Sequence, residues 1–442
     1  MSAIKVKTTL DMKKLVFIIS FIAVSFALQS QTPTPGAEQE KSILYINATV
    51  HIGDGTRILE GSVGFDKGII TYVGSTKSAQ KKLFDSIIDA SGQQIYPGFI
   101  APNSTLGLQE IGAVRATRDQ REVGEMNPHV RSIVAYQTES EITPTVRTNG
   151  VLLGQITPRG RFVAGTSSVV HFDAWNWDDA IISKDDGMHI YWPRMYERDY
   201  TRKAITAKER ESYSARIEAL TENLDKAKAA INGKDSVVLD VRLEAFGKLL
   251  RNELTLFVHA QTAKQITAAI KLKRDYDIKN MHIIGGREAH LVTNLLKENE
   301  VGVMIGRVHD LPWNNYDDVD LPYKLPKLLE DAGVLWCFEN AGDMEQMNSR
   351  NLPFYAGTAV AYGLTEEQAI KGLTLNTAKI LGIELSVGTL EVGKRAVLFV
   401  SKGDALDMIT NNVLAAYIDG RALSLWNRQI QLYEKYKAKY EN

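Results

Sequence analysis

The sequence has almost no cysteine, since Cys337 is the only one in 442 residues. A single cysteine excludes a disulfide within the chain and any cysteine-rich zinc site. Charge of neither sign is in excess, because 52 lysines and arginines stand against 53 aspartates and glutamates. A net charge of −1 excludes a generally basic surface, so we expect no nucleic-acid partner. The 44% of hydrophobic residues excludes a disordered chain.

Long hydrophobic runs are missing everywhere except near the start of the chain. Lys13 and Lys14 precede an apolar run over residues 15–28, which is shorter than the roughly 20 residues that span a bilayer. A basic start followed by a short apolar run is typical of a secretory signal, which we place at residues 1–31 with cleavage between Ala27 and Gln31. We therefore expect a periplasmic or secreted protein with no membrane span after cleavage; the alternative is an uncleaved anchor.

The rest of the chain changes character twice. Residues 42–96 and 386–424 alternate apolar and polar positions between turn signals, which predicts β-structure at both ends. Between them, over residues 97–385, apolar strand-like runs alternate with helix-like runs. This order predicts a parallel sheet and an α/β (β/α)₈ TIM-like barrel. A charged helical insert near residues 194–250 interrupts the barrel, and residues 425–442 form an amphipathic C-terminal helix.

Several motifs occur in the order found in one family. They are Pro97-Gly98-Phe99-Ile100, Phe257-Val258-His259-Ala260, Thr374-x-Asn376-x-Ala378-x-x-Leu381-Gly382 and Gly393-Lys394-x-Ala396. The chain resembles the amidohydrolase superfamily, and most closely its imidazolonepropionase-like branch. The resemblance implies a small composite β-sandwich, built from both ends of the chain, beside a metal-dependent barrel. It also implies hydrolysis of carbon–nitrogen bonds other than ordinary peptide bonds, in a cyclic amide or a dipeptide-like small molecule, with zinc or another divalent metal.

The His-x-His motif that family members carry after the first barrel strand is missing. Asn103 and Thr105 stand at its two histidine positions. Neither an amide nor a hydroxyl matches imidazole as a zinc ligand. We therefore assign Asn103 and Thr105 to substrate binding rather than to a metal.

Two other family positions keep a suitable residue. His259 ends the fifth strand and is predicted to be a metal ligand, and Asp343 corresponds to the general base and second metal ligand after the eighth strand. Glu339 competes with Asp343 for that role, because it follows the strand directly. Two ligands are fewer than the three that zinc sites normally show. Either other residues such as His309 and Asp310 complete the site, or the chain has no metal.

The loop after the first strand carries charges suited to a polar substrate. Arg115 and Arg118 are predicted to bind a substrate carboxylate, since arginine can hold one through two hydrogen bonds, and His309 is predicted to line the same site. Trp175, Trp177 and Trp192 allow a third interpretation, a module that binds carbohydrate or peptide by stacking.

These features lead to two main hypotheses about function. The first is an exported hydrolase of the amidohydrolase family with a degenerate metal site. The second is a catalytically inactive homologue that binds a ligand or pairs with an active paralogue. Association with a second copy of the chain is a further expectation under either hypothesis.

Overall fold

A computed structural model describes residues 34–199, 204–209, 211–232, 240–342 and 344–441 of the chain. The predicted signal segment, residues 1–31, lies outside the described residues, and so does Asp343. From Pro35 onwards the described residues form one compact unit. None of the helices in these ranges is both long enough and apolar enough to cross a membrane.

Strands and helices follow one another along the chain in groups. In chain order the strands are β1 (Ile43–His51), β2 (Arg57–Asp66), β3 (Ile69–Ser75), β4 (Ser86–Asp89), β5 (Gln94–Pro97), β6 (Phe99–Ser104), β7 (Val151–Ile156), β8 (Val163–His171), β9 (Ile181–Tyr191), β10 (Tyr196–Asp199), β11 (Ala204–Glu209), β12 (Thr255–Ala260), β13 (Met281–Gly285), β14 (Gly302–Ile305), β15 (Trp336–Phe338), β16 (Leu398–Ser401), β17 (Val413–Ile418) and β18 (Arg421–Ala422). The helices are α1 (Thr143–Arg147), α2 (Glu211–Asn232), α3 (Val241–Leu250), α4 (Ala263–Asp275), α5 (Thr293–Glu298), α6 (Leu321–Asp331), α7 (Glu345–Asn348), α8 (Leu352–Ala361), α9 (Glu366–Leu373), α10 (Leu375–Ile380) and α11 (Arg428–Glu441).

The two ends of the chain meet in one mixed sheet. Its order is β18-β17-β16-β5-β1-β2-β3, with β4 paired to β1. The β2–β3 hairpin turns through Lys67 and Gly68, whose φ angles are 48° and 78°. A tight turn of this kind needs positive φ at both central residues, which glycine adopts without strain. The two regions predicted as β-structure, residues 42–96 and 386–424, therefore share one sheet, and the composite sandwich stays a prediction.

The middle of the chain forms a barrel-like sheet with helices between its strands. The order is β6-β7-β8-β9-β12-β13-β14-β15, so the predicted TIM-like α/β fold is confirmed. One strand departs from the predicted parallel arrangement, because β8 is antiparallel to both β7 and β9. The reason is the length of its connections, residues 157–162 and 172–180. A parallel crossover needs about a dozen residues or more, so each of these short connections forms a hairpin.

The segment predicted as a helical insert, residues 194–250, contains the β10–β11 hairpin and the helices α2 and α3. Leu220, Leu224 and Ala227 of α2 repeat at helical spacing and are buried in the main core. This spacing places all three side chains on one face of the helix. The insert is therefore packed onto the body of the protein through an apolar stripe.

The barrel core combines apolar and polar side chains. Phe99, Phe257 and Trp336 from three strands are fully buried in it. Gln155, from β7, and His189, from β9, are fully buried too. Buried polar groups are costly unless they are hydrogen-bonded, and Gln155 and His189 both have hydrogen-bond partners.

Candidate active site

The C-terminal ends of the barrel strands bring polar side chains from distant parts of the chain together. Asn103 lies at the end of β6, His259 at the end of β12, and Glu339 directly after β15. All three line a cavity of about 370 Å³, called here the inner cavity. Active sites of barrel enzymes lie at this face because parallel strands all end there.

A second cavity of about 500 Å³ adjoins the inner cavity and is called here the arginine cavity. Arg118, Arg121 and Arg159 line it, together with the Asn103 and His259 that also line the inner cavity. The two cavities therefore form one continuous site around Asn103 and His259. The lining of the arginine cavity carries more positive than negative side chains.

Asn103 is held in an unusual backbone conformation by partners on both sides. It has a φ angle of 49° and is almost completely buried. Its Nδ2 donates to Glu339 Oε2 at 3.2 Å, and its Oδ1 accepts from Arg159 Nη1 at 2.9 Å. Its backbone N–H donates to Gln155 Oε1 at 3.1 Å. Asn103 thus connects the cation on one side of the mouth with the carboxyl group on the other.

Arg159 lies in the connection between β7 and β8 and places its guanidinium at the centre of these contacts. Nη2 donates to the backbone oxygen of Asn103 and to Glu345 Oε1, both at 2.8 Å. Its side chain is only 12% exposed. Burial lowers the pKa of Arg159, but the charge of Glu345, its hydrogen bond with Arg159, and the nearby Tyr191 and Glu339 together outweigh burial and hold this pKa above its usual range. The side chain is therefore a fixed cation.

Thr105 takes part in the same ion pair through its hydroxyl, which donates to Glu345 Oε1 at 2.5 Å. The second carboxylate oxygen of Glu345 accepts from the backbone N–H of Gly342 at 2.9 Å. Both residues at the missing His-x-His positions are therefore bonded to the Arg159–Glu345 pair. Glu345 is far from Asn103 in sequence, and sequence reasoning missed both it and Arg159.

Glu339 is the buried carboxyl group of the inner cavity and is 4% exposed. Its Oε2 accepts from the backbone N–H of Ala341 at 2.5 Å and from Asn103. Burial raises the pKa of Glu339 to about 7, although these hydrogen bonds and the charge of Arg159 act in the opposite direction. A group with this pKa exchanges a proton readily at neutral pH. The sequence left the role of general base open between Asp343 and Glu339. The carboxyl group of Glu339 is suited to that acid–base chemistry.

His259, the predicted metal ligand, lies at the mouth but is bonded to another imidazole. Its Nε2 is 3.1 Å from Nδ1 of His189, whose Nε2 is 2.9 Å from Ser167 Oγ. Tyr191 stacks on the His259 ring with the ring centres 3.8 Å apart. Burial, assisted by the positive charge of Arg159, holds the pKa of both histidines well below the usual range. Both imidazoles are therefore neutral at neutral pH.

The hydrogen bonds continue into the barrel from this mouth. Gln155 Nε2 donates to Ser167 Oγ at 3.1 Å and to Asp186 Oδ2 at 2.7 Å. Burial raises the pKa of Asp186 to about 7, despite hydrogen bonds from Ser167 and Gln155. Gln155 also accepts a hydrogen bond from the backbone N–H of Asn103. This network therefore holds Asn103 in position from inside the barrel.

The remaining predicted residues lie in different places. Arg118 lines the arginine cavity, whereas Arg115 begins a short exposed helical turn and is not one of the residues that line these cavities. His309 lines the inner cavity, and its Nε2 is 2.6 Å from Thr358 Oγ1. Asp310 pairs with Arg287.

A third cavity of about 500 Å³ shares His259 with the other two and is called here the aromatic cavity. Its lining includes five aromatic side chains, from Tyr191, Trp192, Tyr196, Trp313 and Tyr316. Aromatic rings give large contact areas and suit planar ligand groups. The site thus has a cationic side and an aromatic side.

Comparison with known proteins supports the barrel fold. Residues 323–423 match the model of the amidohydrolase family. A crystal structure of an amidohydrolase from Thermotoga maritima MSB8 shares the fold, with 27% identity and a TM-score of 0.75 over 86% of this chain and 99% of that chain. The chain is similar to the amidohydrolases in fold and, over residues 323–423, in sequence.

Two curated amidohydrolase relatives extend the comparison. Amidohydrolase tasK of Hapsidospora irregularis is 21% identical over 422 residues, which are 88% of this chain and 42% of that protein. An imidazolonepropionase of Shewanella baltica (strain OS185) is 66% identical over 35 residues, 8% of this chain and 9% of that protein. The matches thus span less than half the length of one relative and less than a tenth of the other.

Amidohydrolases generally depend on a divalent metal, so the donors at this mouth can be compared with what a metal needs. Asn103 Oδ1 accepts from a guanidinium, the Thr105 hydroxyl donates to Glu345, and His259 Nε2 is bonded to His189. Within the described ranges, no three His, Cys, Asp or Glu side chains come together as a metal-binding group. A fixed guanidinium beside these groups also repels a dication. The residues that the structure describes at this mouth therefore do not fit the family's metal.

Proposed function

We propose that this amidohydrolase relative is an exported hydrolase that cleaves a carbon–nitrogen bond, other than an ordinary peptide bond, in a small anionic cyclic amide. The observation that carries this proposal is Glu339. Its carboxyl group is buried at the end of the last barrel strand, lines the inner cavity and has a pKa of about 7. Perturbed acids and bases of this kind are typical of catalytic sites.

Glu339 acts first as a base and then as an acid. It takes a proton from a water molecule while the water oxygen adds to the carbonyl carbon of the amide. The carbon–nitrogen bond then breaks, and Glu339 returns the proton to the leaving nitrogen. The products are a carboxylic acid and an amine on the opened ring, and the carboxyl group of Glu339 ends in its starting state.

The charge of the arginine cavity supports an anionic substrate. Arg118 and Arg121 both line the cavity and are exposed. Neither has a carboxylate partner among the side chains that the structure describes. A planar guanidinium can bind a substrate carboxylate through two hydrogen bonds.

Export is supported by the basic start and the apolar run over residues 15–28. We expect the protein recovered outside the cytoplasm to begin between Ala27 and residue 32. Intact-mass measurement of that protein checks this expectation. A mass that includes residues 1–31 would contradict cleavage.

The catalytic proposal is tested by comparing the purified wild-type chain with Glu339→Gln on lactams, hydantoins and dihydropyrimidines, some with a carboxylate. Loss of an acid–base group typically slows a reaction about 10²- to 10⁴-fold. We expect ring opening by the wild type, measured by mass spectrometry, and a loss of kcat in this range for E339Q. Glu434→Gln, on the exposed face of α11, is the matched control and should keep full activity. Equal rates for wild type and E339Q would refute the role of Glu339.

The alternative function, a ligand-binding homologue without catalysis, is favoured by one observation. Both polar atoms of the Asn103 amide are already bonded within the protein, one to Arg159 and one to Glu339. A mouth held rigidly in this way suits recognition of a ligand of matching shape. Binding raises the melting temperature of a folded protein, so a thermal shift with carboxylated cyclic amides that remain intact would favour this alternative.

A further inference from the structure

The fixed cation at the barrel mouth lies between the residues that replace the family's His-x-His motif and the end of the last strand. Arg159 contacts Asn103 and Glu345, and Glu345 in turn contacts Thr105. Asn103 contacts Glu339 on its other side. The guanidinium thus occupies the surroundings in which the family resemblance places a metal ion.

The guanidinium is held rigidly in this position. Its two Nη atoms donate to Asn103 Oδ1, Asn103 O and Glu345 Oε1 at 2.8–2.9 Å. The backbone N–H of Arg159 donates to the carbonyl of Gln120 at 2.6 Å, which ties the residue to the loop above the site. A side chain fixed by this many contacts is preorganised, which is what makes an electrostatic group effective in catalysis.

One N–H of the guanidinium remains poorly used. The guanidinium also lies beside the Tyr191 side chain. Besides Asn103 Oδ1, Nη1 donates to the carbonyl oxygen of Thr157 at 3.5 Å. This distance is too long for a strong hydrogen bond. Arg159 lines the arginine cavity, so this N–H can be given to a ligand oxygen there.

We propose that Arg159 has replaced the metal ion of the amidohydrolases as the resident cation of the site, and that it polarises the carbonyl of the substrate. The polarisation of the substrate carbonyl rests on the proposed function. The replacement of the metal does not. Negative charge develops on the carbonyl oxygen as water adds, and a fixed neighbouring cation stabilises it. The bonds that form and break are those already described for Glu339.

A metal-binding experiment tests the replacement without any assay of turnover. The variant Asn103→His/Thr105→His/Arg159→Ala restores two imidazoles and removes the guanidinium. Incubated with zinc and dialysed, it should hold close to one zinc per chain by mass spectrometry and gain thermal stability with zinc. Asn103→His/Thr105→His, which keeps Arg159, is the matched control and should hold less than a tenth of that amount, as should the wild type.

Two results of this experiment would overturn the proposal. One is stoichiometric zinc in the wild type, and the other is equal zinc binding by the variants with and without Arg159. If the triple variant does not fold, Arg159→Met and Arg159→Lys are incubated with zinc instead. Arg159→Met removes the charge and Arg159→Lys retains it. Both variants should hold as little zinc as the wild type, which is close to none.

Chemical rescue tests the catalytic part once a substrate is turned over. Arg159→Ala should lose at least 10²-fold in kcat, the scale of one oxyanion donor. Millimolar guanidinium should restore part of this loss, whereas tetramethylammonium, a cation without N–H donors, should not. No rescue in a folded R159A would refute polarisation by Arg159. A different outcome is that the triple variant binds zinc but the wild type turns over no substrate. This would refute the proposed hydrolase function and leave the replacement of the metal by Arg159 supported.

Discussion

At the scale of single residues, the raised pKa of Glu339 predicts how activity depends on pH. The deprotonated form accepts the proton of water, so kcat/KM should rise with pH up to about 7 and then level off. Asp186→Asn is the matched control, because burial raises the pKa of Asp186 to about 7 as well, yet Asp186 is not among the lining residues of the three cavities. A wild-type profile without this rise, or one altered by D186N, would contradict the prediction.

The same pKa predicts an effect on stability with the opposite sign. The folded protein holds the Glu339 proton up to about pH 7, whereas an unfolded glutamate loses it near pH 4.5. The folded state therefore binds more protons in this window, and Glu339 makes the protein less stable as pH rises from about 4.5 to 7. E339Q, which cannot ionise, should gain on the order of 3 kcal/mol relative to wild type between pH 4.5 and pH 8. Urea unfolding at the two pH values measures this, and a constant difference would contradict it.

Of the three tryptophans from which the sequence suggested stacking, Trp192 lines the aromatic cavity and Trp175 does not. Trp313 lines the aromatic cavity, with the Arg287 guanidinium 4.5 Å from its ring centre, while Trp175 is 66% exposed elsewhere. Trp313→Ala should weaken binding of aryl-substituted cyclic amides about fivefold, since an aromatic pair is worth about 1 kcal/mol. Trp175→Ala should leave it unchanged. The ratio of KM values for aryl and methyl substrates is the measurement; equal ratios in wild type and W313A would contradict the prediction.

At the scale of elements, two helices begin with the same capping box and differ in position. Thr262 caps α4 and lines the aromatic cavity, and Thr365 caps α9. Either substitution by alanine should cost about 1 kcal/mol of unfolding free energy. Only Thr262→Ala should also raise KM, because α4 begins at the site. Thermal unfolding and kinetics of both variants separate these effects, and a raised KM in T365A would contradict the assignment.

Sequence patterns predicted the strands and helices better than the contacts between them. His259 and Glu339 were found at strand ends because apolar runs precede them, and Asn103 was found through the family motif. The direction of β8 was missed, since its pattern does not distinguish a parallel strand from a hairpin partner. The contacts of Asn103 with Arg159 and of Thr105 with Glu345 cross distant parts of the chain, and no local spacing encodes them. The motif comparison therefore indicated which ligands were missing without indicating what replaced them.

At the scale of the whole molecule, the lone cysteine predicts how the chain behaves in an oxidising compartment. Cys337 is fully buried, and burial raises the pKa of its thiol far above the usual range. A buried neutral thiol reacts slowly. We expect one thiol per chain to react with Ellman's reagent in denaturant and fewer than a tenth to react in the native protein. Rapid labelling of the native protein would contradict this burial.

The reversed strand β8 has a consequence for the whole molecule's dependence on its surroundings. Because β8 runs back against β7, the connection that carries Arg159 turns at the end where β7 stops and holds its charge over the site. If Arg159 is the resident cation of the site, this cation is part of the polypeptide and is not bound from solution. Its occupancy is complete in every folded copy, whatever the supply of zinc, and no chelator can remove it.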